Sequence, residues 1–140
     1  MLKKDGVINA PLNGALSQLG HCDLLVVCDA GFPIPKQVVC IDLALVPGDP
    51  GLIKILTAII GEIDVERAIV ADEIKEVNRK MRDRIEDLLR ETEKLKLESV
   101  PHQKFKEISK EAKYVVRTGE VTPYSNVILV SGAKSHIITG

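Results

Sequence analysis

Gly20-His21-Cys22-Asp23-Leu24-Leu25-Val26-Val27-Cys28-Asp29-Ala30-Gly31-Phe32-Pro33-Ile34-Pro35 is the stretch on which the fold turns. Its apolar run, 24–28, is fenced by His21 and Asp23 on one side and Asp29 on the other. A short apolar run containing Val-Val predicts a buried strand. A loop with one glycine and two prolines follows. The loop after such a strand is where open α/β sheets usually bind ligands. His21 and Asp29 stand at opposite ends of this one strand and are the first candidates for proton-transfer chemistry. From these residues alone, a histidine at a helix end and an aspartate in a turn fit equally well.

Outward from this stretch, periodicity alternates between strand and helix. Asn9 can cap a helix in which Pro11 occupies the first turn. Leu12, Ala15, Leu16 and Leu19 then share a face, with Gly20 as the stop. That puts His21 just past a helix C-terminus, which favours a protonated imidazole. Downstream, 38–45 reads as a second strand and 47–51 as a dense turn. An apolar helix over 52–63 and a strand over 65–71 follow. Ile74, Val77, Met81, Ile85, Leu88 and Leu89 form the stripe of one long amphipathic helix. Residues 95–100 predict a strand, 101–112 a short helix, and 114–117 and 127–130 two more strands. The pattern gives a single-domain, three-layer α/β fold with a mostly parallel sheet and helices on both faces. Residues 1–132 form the expected domain and 133–140 a C-terminal tail.

Composition agrees with one ordered globular domain. The chain has 140 residues, 45% apolar and 28% charged, with 3% aromatics and no tryptophan. Its core must therefore be aliphatic. A formal net charge of −1 leaves no electrostatic footprint for nucleic acid and no polybasic membrane surface. The charged start, Met1-Leu2-Lys3-Lys4-Asp5, does not read as a secretory signal, and no apolar run has the length of a spanning helix. A cytoplasmic location is expected. The three cysteines, Cys22, Cys28 and Cys40, do not form a disulfide framework and read as buried, reduced thiols.

Familiar catalytic signatures are missing. The sequence has no phosphate loop, no dinucleotide glycine fingerprint and no nucleophile elbow. The spacing of His21, Cys22, Asp23 and Cys28 does not match structural zinc patterns, so no metal and no cofactor are expected. The polar residues at segment ends remain: His21, Asp29, His102, Lys106, Arg117, Glu120, Tyr124 and Asn126. Strand C-termini of a parallel sheet share one edge, so Asp29, Asp72 and the 118–126 loop should converge. His102 and Lys106 are four apart and share a helix face. Such a mixture of donors and acceptors suits a small polyhydroxylated ligand. Taken singly, each residue fits a capping, packing or solvated role at least as well.

Five motifs, in this order and spacing, resemble the D-ribose pyranase family of sugar mutarotases. They are Gly20-His21-Cys22-Asp23, Asp29-Ala30-Gly31-Phe32-Pro33-Ile34-Pro35, Asp42-Leu43-Ala44-Leu45, Ala71-Asp72-Glu73-Ile74 and Arg117-Thr118-Gly119-Glu120-Val121-Thr122-Pro123-Tyr124-Ser125-Asn126. The resemblance covers residues 3–132. Gly31 and the Pro-Tyr-x-Asn loop resemble the ribose branch, where fucose mutarotases carry Asp-x-His at 29–31. Ser125 and Pro101 stand where alanine and serine are usual, and Asp72 replaces a common glutamate.

The resemblance implies cofactor-free interconversion of the pyranose and furanose forms of ribose, and of its anomers. It implies His21 as the general acid, with Asp29, His102, Lys106, Tyr124, Ser125 and Asn126 contacting D-ribose. It also implies a ring-shaped homo-oligomer, a decamer of paired pentamers, with sites shared between neighbouring subunits. The alternatives are a ribose-binding module without turnover, and a mutarotase acting on fucose or another sugar.

Overall fold

The structure, a computed structural model, describes residues 2–92 and 95–133. Helices and strands alternate in the order α1 (Ala10–Ser17), β1 (Leu24–Cys28), β2 (Val39–Asp42), α2 (Leu52–Ile60), β3 (Val65–Ala71), α3 (Ile74–Val77), α4 (Arg79–Arg90), β4 (Lys96–Val100), α5 (His102–Ser109), β5 (Tyr114–Arg117) and β6 (Val127–Ser131). The strands form one sheet in the order β2-β5-β1-β6-β3-β4. Pairs β1–β5, β2–β5 and β3–β4 are parallel. β6 runs antiparallel to β1 and β3. The expected α/β fold with a mostly parallel sheet is therefore the observed one. The reversed β6 enters the sheet at the edge where the other strands leave it. Asn126, just before β6, thus emerges beside Asp29, just after β1.

The period-two alternation of the strands divides the core into two layers. Leu25 and Val27 of β1 face the larger layer, with Leu12 and Leu16 of α1, Leu52, Leu56 and Ile59 of α2, and Met81, Ile85 and Leu89 of α4. Val26 and Cys28 face the smaller one, covered by α5 through Phe105. Phe105 is fully buried, which stabilises the fold by about 1.5–3 kcal/mol. On that face α5 is packed with the 29–35 loop through Phe32, whose ring meets Phe105 edge-on at 5.7 Å.

Several boundaries differ from expectation for local reasons. Asn9 caps α1 as predicted, accepting from Leu12 N at 2.9 Å. The helix nevertheless ends at Ser17, with Gln18 as C-cap. Gly20 does not stop it, and donates its N–H to Asp23 Oδ2 at 2.7 Å. His21 is four residues beyond the helix, and a helix dipole acts only within its last turn. The expected long helix from Ile74 breaks at Asn78, whose φ of −142° and ψ of 60° leave the helical region. The second strand closes at Asp42, where Oδ1 accepts from Ala44 N and turns the chain. Of the three thiols expected to be buried, only Cys28 is; Cys22 and Cys40 are exposed. Cys22 lies in a turn, and β2 is an edge strand whose residues are largely exposed.

Ser131, one residue past the strand expected over 127–130, completes β6. Of the expected tail, 134–140 lies outside the described residues. Among the described residues no helix is long and apolar enough to cross a membrane.

Candidate active site

Asp29, His102, Tyr124 and Asn126 meet at the edge where β1, β3, β4 and β5 end and β6 begins. Asp29 follows β1 directly. Its N–H donates to Asn126 Oδ1 at 2.8 Å, which leaves the amide nitrogen as the remaining polar end of Asn126. Asp29 Oδ1 accepts from Gly31 N at 3.0 Å. Burial pushes the Asp29 carboxyl above its ordinary 3.8, against the Gly31 N–H, the Asn126 side chain, the Phe32 N–H and the His102 charge, which pull it down. The carboxylate is thus held by donors yet half-removed from water.

His102 opens α5. Proline 101 precedes it, and the Glu73 carboxylate accepts from His102 N at 3.0 and 3.2 Å. A carboxylate at a helix N-terminus satisfies an orphan N–H and complements the dipole. The imidazole stacks on Phe105 with centroids 6.3 Å apart and meets the Tyr124 ring edge-on at 5.0 Å. Its Nδ1 is buried and makes no hydrogen bond to the described residues. Buried polar atoms are nearly always paired, so a nitrogen left unpaired in this cluster is ready for a ligand hydroxyl. Lys106 lies one turn further along α5, half-buried, in a groove of about 370 Å³ lined also by Pro33, Pro35 and Lys36.

The 118–126 loop is built from the inside. Thr118 Oγ1 donates to Cys28 O at 2.8 Å and accepts from Glu120 N at 3.0 Å. Gly119 N donates to Pro50 O at 2.7 Å. A Cβ on Gly119 would stand 2.6 Å from Asp49 O, so only glycine fits this crossing. Glu120 Oε1 accepts from Leu52 N at the start of α2. Ser125 is fully buried, its hydroxyl 2.7 Å from Thr122 Oγ1 and 3.1 Å from Asn78 Nδ2. Tyr124 takes φ of 56°, the left-handed region that bulky residues rarely adopt. Such strain persists only where surrounding contacts over-determine it, and it clusters at functional sites.

His21 is elsewhere. It precedes β1, whereas Asp29 follows it, and a five-residue strand spans roughly 16 Å. At that opposite edge His21 Nε2 lies 3.3 Å from Glu66 Oε2. Asp72 also stays out of the cluster: it is exposed, and its neighbour Glu73 reaches His102 instead. Sequence reasoning missed Glu73 and Asn78 as supports. Asn78 donates to Pro123 O at 2.9 Å and caps α4 through Met81 N. The signal for Asn78 was available, since asparagine inside an amphipathic stripe is a helix-start residue. Nothing local pairs Glu73 with a residue 29 positions away.

A mostly parallel sheet covered on both faces, with this polar cluster at its edge, defines a single-domain α/β protein. The chain belongs to the RbsD / FucU transport protein family, which it matches over residues 2–134. It is 43% identical over 136 residues to the D-ribose pyranase of Actinobacillus pleuropneumoniae serotype 5b (strain L20), covering 94% of this chain and 98% of that protein. It is 45% identical over 133 residues to the D-ribose pyranase of Geobacillus thermodenitrificans (strain NG80-2), covering 95% and 98%. Among solved structures it resembles Bacillus subtilis RbsD complexed with D-ribose, with TM-score 0.89 and 41% identity over 95% of this chain and 99% of that one.

Proposed function

We infer that this chain interconverts the pyranose and furanose forms of D-ribose, an isomerase reaction of the D-ribose pyranase kind. The observation that carries it is the cluster of Asp29, His102, Tyr124 and Asn126 in a fold matching a ribose-bound relative at TM-score 0.89.

Ring opening needs a proton delivered to the ring oxygen and one removed from the anomeric hydroxyl. Closure through a different hydroxyl gives the other ring size. A positioned acid contributes ~10²–10⁴-fold. In our proposal His21 is that acid, its imidazole having one ring nitrogen that can donate a proton and one that can accept it. Asp29 and the Asn126 amide hold sugar hydroxyls. His102 Nδ1 accepts or donates one more, and Tyr124 packs against the ring. Lys106 reaches the sugar from the next turn of α5. Ser125 acts through its backbone, because its hydroxyl is committed within the loop.

Since His21 and Asp29 bracket β1, one protomer does not bring both to one sugar. The proposed site takes His21 from one protomer and the Asp29 cluster from its neighbour. Leu45, Val46 and Val121 are 75%, 53% and 62% exposed, and they support an interface beside the cluster. A ring-shaped homo-oligomer, a decamer of paired pentamers, belongs to this proposal. So does a cytoplasmic setting, supported by three free thiols of which two are exposed.

The test is saturation-transfer NMR of ribose and, in parallel, fucose, with oligomer mass from light scattering. Accelerated exchange of ribose above fucose is expected. Binding of ribose without acceleration would replace the isomerase by a silent binding module. Faster exchange of fucose would move the substrate.

A further inference from the structure

Side chains able to ligate a metal, two from the turn before β1 and one from β3, converge at the sheet edge opposite the Asp29 cluster. His21, Cys22 and Glu66 each bring one donor atom, and these atoms lie within 4.8 Å of one another. His21 Nε2 and Glu66 Oε2 are 3.3 Å apart. Two ligands each about 2.0–2.1 Å from one zinc ion, at the tetrahedral angle, stand about 3.3 Å apart. The pair is therefore spaced as neighbouring ligands of one ion, and the thiol lies within reach of a third position.

Two backbone irregularities bring these donors together. Cys22 adopts φ of 72°, and its N–H is fixed to Ser131 O at 2.8 Å. The β3–β6 register passes from Val65↔Ser131 to Arg67↔Val130, which leaves Glu66 as the extra residue of a bulge. A bulge re-aims a side chain relative to the regular pleat. Both irregularities are anchored on Ser131, so the turn carrying His21 and Cys22 is held in register with Glu66. Side-chain exposures of 55% for His21 and 39% for Glu66 leave the approach open.

We propose that His21, Cys22 and Glu66 form a binding site for a borderline divalent cation such as Zn²⁺, and that its occupancy inhibits sugar isomerisation by withdrawing His21. One nitrogen, one sulfur and one oxygen donor suit Zn²⁺ or Co²⁺, whereas Mg²⁺ and Ca²⁺ take all-oxygen sites. Three protein ligands leave the fourth position to water. On binding, the Cys22 thiol releases its proton to solvent and the thiolate donates to the ion; no electron is transferred. The binding half stands on geometry alone. The inhibitory half rests on the role proposed above for His21.

Cobalt reads the site directly. Titrating the reduced, metal-free protein with Co²⁺ should give thiolate-to-cobalt charge-transfer absorption that saturates at one ion per chain. Cys22→Ser should abolish these bands and Cys40→Ser should keep them. His21→Ala and Glu66→Gln should each weaken binding by about tenfold or more. Circular dichroism checks that each variant is folded. Absent bands in the parent protein, or bands surviving in Cys22→Ser, would overturn the site. Zn²⁺ should then slow ribose exchange by at least about tenfold, reversibly with chelator, and less in Cys22→Ser compared with itself in chelator. Cobalt bound at this cluster with ribose exchange unslowed would overturn the inhibition. Unchanged exchange in metal-free His21→Ala would instead place the fault in the role of His21, leaving the metal site intact.

Discussion

The two ends of β1 present opposite kinds of site. The edge after the strand is half-buried, crowded and held by side-chain bonds to backbone from distant segments: Asn126 to Asp29, Glu73 to His102, Glu120 to Leu52. The edge before it is exposed, and His21 is tied there to Glu66. On the function proposed above, the difference is one of labour. A sugar is oriented where donors and acceptors are fixed and partly desolvated, since their interactions are strongest there. In the proposed reaction, the group that gives and regains a proton would work at an accessible edge that a neighbouring copy brings to the sugar.

The sharpest way to break this comparison is to separate the two edges onto different chains. His21→Ala alone should cost ~10²-fold or more in exchange rate while ribose still binds. Asp29→Asn alone should weaken binding by about 10–100-fold. Co-assembled from a mixture of both, about a quarter of shared sites regain both groups, so activity should return. Saturation-transfer NMR on the mixture checks it, and absence of any recovery would place the whole site within one protomer.

Next in size is Gly119→Ala. The added Cβ would meet Asp49 backbone at 2.6 Å, which cannot yield as a flexible side-chain tip would. We expect destabilisation of about 1–3 kcal/mol and weaker ribose binding, measured by denaturant melts and calorimetry. Wild-type stability would show that the 47–51 turn moves freely relative to the loop.

Asp29→Asn, by itself, should weaken ribose binding by about 10–100-fold, the range for losing a hydrogen bond to a charged group. Its pH behaviour has a definite sign. Burial raises the Asp29 carboxyl above 3.8 in the folded chain. Folding therefore favours the protonated form, and that contribution is present below the unfolded value and lost as pH rises through the folded one. Stability of Asp29→Asn should accordingly fall less than that of the parent as pH rises through this window. Ribose affinity of the parent should drop on acidification at a higher pH than an exposed aspartate would dictate. Thermal melts and calorimetry across this range test both.

The smallest expected effect is that of Glu73→Gln. The amide still accepts from His102 N but lacks the charge that complements the start of α5. A loss of about 0.3–1 kcal/mol and a ribose affinity lowered by a few-fold should appear in melts and calorimetry. An unchanged affinity would mean that His102 is positioned by its aromatic neighbours alone.

The alternation of strands and helices was legible along the chain because each strand carries its own burial pattern. The runs at 24–28, 65–71 and 114–117 needed no partner to be recognised. Asp29, Tyr124 and Asn126 were legible as a group because strand ends of an α/β sheet share an edge. His21 was legible as a candidate, although the helix end invoked to favour its charge lies too far away. Sequence could not supply pairings that depend on how separate segments come to rest. The antiparallel insertion of β6, the reach of Glu73 to His102 and the crossing of Gly119 over Asp49 are settled by packing of the whole sheet.

Residues 20–35 thus determined by themselves that a buried strand joins a histidine to a carboxylate, since apolar run length and flanking charge are local properties. Only the tertiary structure decided the partners at each end, Glu66 beside His21 and Asn126 and His102 beside Asp29. A strand's length separates its ends, and sheet topology chooses what stands beside each one.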